Sequence, residues 1–371
     1  MDLPPGTVLG DTYRISRLIG IGGMGAIYEA AHVSAGKRVA IKMMSRELAA
    51  HPEALARFRR EVKVTTELAH PHIVDVFDFG AAQTGEPYLV MEYLEGEDLE
   101  QRLERDGRIP LLTAAEIINQ VASALAVAHQ EGVVHRDLKP GNVFLTNRED
   151  GGIFVKVVDF GISKVLKAAT TKLTMARAVV GTPEYMAPEQ AAGRVDHVDH
   201  RSDQWALAVL GWHMLTGRLP FWKPEVSALL NQVISEEPTP LVPELAPLIP
   251  RDVDKVLRRA LSKKREDRYP TITAFARAFE AAATGVAVRG SGAKPTVPGR
   301  QGRTRRSGLW LILAVAALGL AGAGWLFRDE ITSSRWWPGG PTASGARSAG
   351  EPRGARPDDG EHRRRRQTPR P

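Results

Sequence analysis

Residues 309–327 (LWLILAVAALGLAGAGWLF) run for 19 positions without a charge, and no other feature restricts the folding of the chain as strongly. As a helix rising ~1.5 Å per residue, the run is about 28 Å long, against a bilayer hydrocarbon core of about 30 Å. Trp310 and Trp325 stand near its ends, and Trp336 and Trp337 follow, as expected where amphipathic rings settle among headgroups. A buried core helix of this kind would need apolar partners, and both flanks are instead rich in Gly, Pro and Arg. One membrane span over 309–327 is therefore expected, and its distance from the N-terminus excludes a secretory signal. Five cations in 294–308 precede the run, whereas two, Arg328 and Arg335, follow it closely. The N-terminal side is thus expected to be cytoplasmic.

The span divides a chain of unlike parts. Residues 284–371 carry 16 Lys+Arg and 6 Asp+Glu, a charge of +10, which leaves −3 for residues 1–283 of a chain whose total is +7. A duplex-binding domain clusters basic side chains against phosphates. The mildly acidic body has no such excess, so nucleic acid is not an expected partner. The absence of cysteine excludes a disulfide scaffold, a thiolate metal site and a cysteine nucleophile. Residues 284–308 hold six Gly, two Pro and no acid, with Arg289, Lys294, Arg300, Arg303, Arg305 and Arg306; they read as a flexible basic juxtamembrane linker. Residues 328–371, with six Gly and six Pro, read as a disordered extracytoplasmic tail. The HRRRR run at 362–366 is most simply a solvated charge patch.

Within residues 1–283, apolar positions alternate over 13–20, 26–32 and 39–43, then recur at helical spacing over 114–129 and 204–215. Strands first and helices afterwards predict an α+β fold with a small β-rich lobe, about residues 1–91, and a larger α-rich lobe, about 95–283.

The chemistry-bearing residues lie in this body. Gly20-Ile21-Gly22-Gly23-Met24-Gly25 falls between two strand-like runs, so its glycines can turn tightly and bring backbone N–H groups close to phosphates. A Rossmann fingerprint would require a helix after the last glycine, but Ala26-Ile27-Tyr28-Glu29-Ala30 alternates as a strand. The strand Val39-Ala40-Ile41-Lys42 ends in a lysine, and Glu61, on a helix-like segment, offers it a carboxylate. An ammonium anchored in that way supplies fixed positive charge to phosphate oxygens. His135-Arg136-Asp137-Leu138-Lys139-Pro140-Gly141-Asn142 follows a long apolar helix. There Asp137 can accept a proton from an attacking hydroxyl, Lys139 can neutralise a transferring phosphoryl, and Asn142 can ligate a hard cation. Asp159, before Phe160 and Gly161, adds a second oxygen ligand. Oxygen ligands without Cys or His suit Mg²⁺, with Mn²⁺ as the alternative.

Taken in order, GxGxxG, VAIK, a helix Glu, HRDLKPxN, DFG and Ala187-Pro188-Glu189 resemble the eukaryotic-type protein kinases, and most of all the membrane-tethered Hanks-type serine/threonine kinases of bacteria. The resemblance covers roughly residues 13–280 and implies a bilobal kinase fold. It implies that Gly20, Gly22, Gly23 and Gly25, with Ile19 beside them, cover ATP, and that Lys42, paired with Glu61, holds its α- and β-phosphates. Asp159 and Asn142 would bind Mg²⁺, and Asp137 would be the base. Met91, Glu92 and Leu94 would form the hinge against adenine, with the backbone of Glu92 and Leu94 hydrogen-bonding the base. Ile27, Ala40, Val90 and Phe144 would be its apolar walls. The resemblance further implies protein substrates with Ser/Thr acceptors, autophosphorylation at Thr170, Thr171 or Thr174, and a homodimer that phosphorylates in trans. Thr182 and Asp203 would brace the catalytic loop, while Glu189 would pair with Arg268. An ATP-binding pseudokinase scaffold is the alternative reading.

Overall fold

In the computed structural model, which describes residues 3–22, 25–44, 55–56, 62–63, 65–148, 151–160, 182–240 and 248–285, the alternating N-terminal segments pair into one antiparallel sheet. Its strands are β1 (Val8–Leu9), β2 (Tyr13–Gly22), β3 (Gly25–His32), β4 (Arg38–Met44), β5 (Val76–Ala81) and β6 (Pro87–Glu92), in the spatial order β1-β2-β3-β4-β6-β5. Their period of two sends neighbouring side chains to opposite faces. On one face Tyr13, Ile15, Tyr28, Ile41, Met43 and Val90 pack into the core of the lobe. On the other, Ala40 and Met91 meet Ile27, Val74, Leu94 and Val158 in a smaller apolar patch.

Past Glu92 the chain enters a helical lobe. A second sheet, β7 (Glu97–Asp98), β8 (Val143–Asn147) and β9 (Ile153–Val157), is accompanied by α1 (Leu99–Asp106) and α2 (Leu111–Gln130). There follow α3 (Pro188–Ala191), α4 (His200–Thr216), α5 (Val226–Ser235), α6 (Arg251–Ala260) and α7 (Ile272–Thr284). Asp98 starts α1 with a capping box: its carboxylate accepts from the Gln101 N–H at 2.9 Å, and the Gln101 side-chain oxygen accepts from the Asp98 N–H at 3.2 Å. Helix α4 is buried on nearly all sides from Ser202 to Thr216, as befits the axis of a lobe. Gly217 ends it in the left-handed region at φ 67°, where a Cβ would meet the Gly107 carbonyl oxygen at 2.5 Å.

Helix α2 packs against α4 and α7. Among the described residues it is the one helix long and apolar enough to cross a membrane, yet Ile117, Ile118, Val121 and Leu125 are buried in the protein core. The expected span over 309–327, the tail and all of the expected linker beyond Gly285 lie outside the described residues. The expected architecture of a β-rich lobe followed by a helical one is the architecture found.

One polar contact of α4 makes the stability of this lobe sensitive to pH. The Tyr185 hydroxyl lies 2.8 Å from His213 Nδ1, and burial lowers the imidazole pKa below its usual 6.5. The folded state therefore favours neutral His213, whereas the unfolded chain takes up a proton near pH 6.5. The stabilising contribution is present above that pH and is lost as pH falls toward the folded-state value. Melting temperature should accordingly fall between pH 6.5 and 5 more steeply for the unmodified chain than for His213→Gln. Each such histidine contributes at most about 1.4 kcal/mol per pH unit within its window. Equal slopes would show that His213 is not the titrating group.

Candidate active site

The β2–β3 hairpin borders the apolar patch on the second face of the sheet, which Ile27 of β3 joins. Gly22 pairs with Gly25 across it, while Gly23 lies outside the described residues. Gly25 has φ +140°, and a Cβ there would meet the Met43 carbonyl oxygen at 1.8 Å; the close approach of β3 to β4 thus requires a glycine. At Gly20, by contrast, a Cβ would meet no atom within 4 Å among the described residues. A side chain at that position would project into the open space around the hairpin. Ile19, beside it, is exposed.

Lys42, on β4, is buried, and its Nζ lies 2.6 Å from Asp159 Oδ2. Burial pushes the Asp159 carboxyl up, but the charge and hydrogen bond of Lys42 outweigh it and hold the group below the usual carboxylate range. His135 and Lys139 add positive potential in the same direction. Asp159 itself sits at φ 64°, a conformation that costs a non-glycine residue energy and persists only where its surroundings enforce it. Glu61, the expected partner of Lys42, lies outside the described residues.

The catalytic-loop candidate is fixed from below by α4. The N–H groups of His135 and Arg136 donate to Asp203 Oδ2 and Oδ1, each at 2.8 Å, and His129 Nε2 lies 2.8 Å from Oδ2. Burial raises the pKa of Asp203, but the hydrogen bond and charge of His129 override it and lower the pKa overall. The left-handed turn at Arg136, φ 66°, is held in this grip. Gln190 Nε2 adds a bond to the Arg136 carbonyl at 2.9 Å.

Further along the loop, the Asn142 amide nitrogen donates to the Asp137 carbonyl at 2.8 Å. The Val158 N–H donates to the Asn142 carbonyl at 3.0 Å, and His135 Nε2 lies 3.0 Å from the Val158 carbonyl. The loop and the strand end that carries Asp159 are therefore stitched together. Thr182 shares with Asp137, Lys139 and Gln190 the lining of a cavity of about 10 Å³, roughly the room for one water.

The apolar patch under the sheet brings Ile27, Ala40, Met91 and Leu94 together, and adds Val74 and Val158. Val90 does not belong to it. One position before Met91 on β6, it points to the opposite face and is fully buried in the β-lobe core, so the expectation that it walls the adenine is corrected by strand alternation. Phe144 is half-buried on β8. The Glu92 N–H donates to the Asp75 carbonyl at 2.9 Å, which leaves the carbonyl as the Glu92 backbone group for a ligand.

Two expected structural partners meet at the base of the site. The Arg268 guanidinium forms a bidentate pair with Glu189, 2.9 Å on each arm, and Ser202 Oγ donates to Glu189 at 2.6 Å. Thr170, Thr171 and Thr174 lie outside the described residues.

Sequence reasoning missed Val74, Val158, His129, Gln190 and Lys156. Val158 had a local signal, since it immediately precedes Asp159 at the end of an apolar strand. Lys156, on β9, donates to Glu92 Oε1 at 2.5 Å and had none.

With this geometry in hand, the comparisons with known proteins are specific. The protein kinase domain family matches residues 13–279. Serine/threonine-protein kinase Pkn1 of Myxococcus xanthus is 42% identical over 73% of this chain and 38% of its own length. Serine/threonine-protein kinase PknA of Mycobacterium tuberculosis is 39% identical over 76% and 63%, respectively. The matched region thus spans between about two fifths and two thirds of these curated relatives. The crystal structure of the Mycobacterium tuberculosis PknI kinase domain aligns with a TM-score of 0.58 at 32% identity, covering 76% of this chain and all of that one.

Proposed function

The chain belongs to the protein kinase domain family, and we propose that it is a serine/threonine kinase that transfers the γ-phosphoryl of ATP to protein hydroxyls, itself included, while tethered to a membrane by residues 309–327. The observation that carries the reading is the convergence of Lys42, Asp159, Asn142 and Asp137 in one hydrogen-bonded unit. Serine/threonine specificity is supported by Lys139 two places after Asp137, by Thr182-Pro183-Glu184-Tyr185, and by relatives whose names state it.

The geometry supports the following roles. The substrate hydroxyl oxygen attacks the γ-phosphorus, the bond to the β,γ-bridging oxygen breaks, and ADP leaves with that electron pair. Asp137 receives the hydroxyl proton, and Lys139 offsets charge on the transferring group. Lys42, oriented by Asp159, presents an ammonium to the phosphates. Ile27, Ala40, Met91, Leu94, Val74 and Val158 give the adenine an apolar slot, with Phe144 at its floor. The donor set fits Mg²⁺: the Asn142 amide spends its nitrogen on the Asp137 carbonyl, turning its oxygen away, and Asp159 is held ionised. When bound there, the cation supplies charge neutralisation for phosphate oxygens. Autophosphorylation at Thr170, Thr171 or Thr174, in a transient homodimer, fits an arginine directly before Asp137 that can pair with a phosphate.

Incubating the full chain with Mg²⁺ and γ-labelled ATP should place label on the chain and on a generic basic protein, with phosphoserine or phosphothreonine after acid hydrolysis. Nucleotide binding without transfer to either would favour the pseudokinase scaffold.

A further inference from the structure

Lys156 is not explained by the chemistry above, yet its ammonium is tied to two separate segments of the chain. It lies on β9, three residues before Asp159, with its side chain mostly shielded. Its Nζ donates to Glu92 Oε1 at 2.5 Å and to the Ile73 carbonyl at 3.2 Å. The same Oε1 accepts the Asp75 N–H at 2.8 Å, and the Glu92 N–H returns to the Asp75 carbonyl. One residue on, Val157 donates to the His72 carbonyl at 2.8 Å and accepts from the Val74 N–H at 3.0 Å. Three segments are therefore interlocked: the 72–75 loop, the strand leading to Asp159, and the connection between the lobes.

We propose that Lys156 is a positioning residue for the adenine end of the nucleotide: it clamps Glu92 from behind, so that the backbone of residues 92–94 keeps the orientation a purine requires. The proposal rests on the reading of Met91, Glu92 and Leu94 as the adenine-binding hinge. Alternation along β6 sends Met91 into the apolar slot and the Glu92 side chain the other way, so Lys156 does not touch the ligand and acts on it through Glu92. The clamp is partly solvated, because Lys156 and Glu92 line an open groove of about 540 Å³ together with Arg38, Tyr93, Glu95 and Phe154. Because β9 runs directly into Asp159, one strand sets the register of both ends of the nucleotide. The apolar slot takes part of its position from Val158, the residue that follows the same strand.

The test is to titrate adenosine and Mg²⁺-ADP into the full chain and its Lys156→Met and Lys156→Arg variants, with KM for ATP measured alongside. Lys156→Met should weaken adenosine and ADP by the same factor, about fivefold, the scale of losing a partly shielded charge-assisted contact. KM should rise in parallel, and Lys156→Arg should recover most of the loss. A lower melting temperature with unchanged affinities would overturn the proposal, as would a loss confined to Mg²⁺-ADP, which would place the effect at Asp159 instead. If the unmodified chain bound ADP but not adenosine, the adenine reading itself would fall, and the proposal with it.

Discussion

Replacing Asp137 by Asn should slow phosphoryl transfer by a factor on the order of a thousand, within the range seen when a positioned general base is removed, and should leave ATP binding intact. The separation is expected because Asp137 is anchored through its backbone. Its N–H points to His135 Nδ1 at 3.3 Å and its carbonyl accepts from Asn142, bonds that an isosteric carboxamide leaves in place. The substitution thus removes the proposed proton acceptor without dismantling the loop. Single-turnover rates with saturating Mg²⁺-ATP, set beside nucleotide affinity, measure the two quantities independently. A rate within a few fold of the unmodified chain would show that another group takes the proton or that none needs to.

The second large effect concerns stability. Arg268→Ala should cost about 3–5 kcal/mol, because it strands Glu189 without its partner in a buried site. The Arg268 side chain is 0% exposed and that of Glu189 is 7%. The guanidinium also donates to the carbonyls of Ser262 and Arg201, at 2.9 and 3.0 Å, so its loss orphans backbone acceptors as well. Burial pushes the Glu189 carboxyl up, while the hydrogen bond and charge of Arg268 outweigh it and lower its pKa. With a folded-state pKa below the unfolded one, this contribution is fully present at neutral pH and is lost only as pH falls below the ordinary carboxylate range. Arg268→Lys should fail to rescue, since an ammonium cannot reproduce the two-armed contact. The double variant Glu189→Gln, Arg268→Met should be less damaging than Arg268→Ala alone, because it leaves no unpaired charge. Denaturant unfolding at pH 7 decides the matter: a cost under about 1 kcal/mol for Arg268→Ala would mean that the pair contributes no more than a surface contact.

What composition and periodicity could supply was local in origin; the long-range expectations, Glu189 with Arg268 and Asp203 under the catalytic loop, came only from the family resemblance. Alternation over 39–43 located β4, and the His135–Asn142 motif located the loop, because each pattern repeats on the scale of its own element. Val90 shows how narrow the margin is. A shift of one position along β6 moves a side chain from the apolar slot to the lobe core, and only the pairing of Ala40 with Met91 fixes which residue faces inward. Lys156, Gln190 and His129 escaped notice for a different reason. Their partners are 64, 54 and 74 positions away, and no periodicity within a strand or helix encodes contacts at that range. Composition is equally silent about Asp203, since an acid in the first turn of a helix is commonplace; the expectation that it braces the loop came from the family resemblance alone, and the bonds from the His135 and Arg136 N–H groups are how it does so.

Helix α2 carries a consequence for how the protein is made. It is long and apolar enough to enter a bilayer, but its fate is to be enclosed by α4 and α7, which are synthesised later. At ordinary translation speeds, the interval between completion of Gln130 and completion of Thr216 is on the order of ten seconds. Throughout that time the nascent chain displays a hydrophobic segment of membrane length with its intended cover still missing. Whatever receives the chain at the ribosome must therefore keep this segment out of the bilayer and in water until its covering helices arrive.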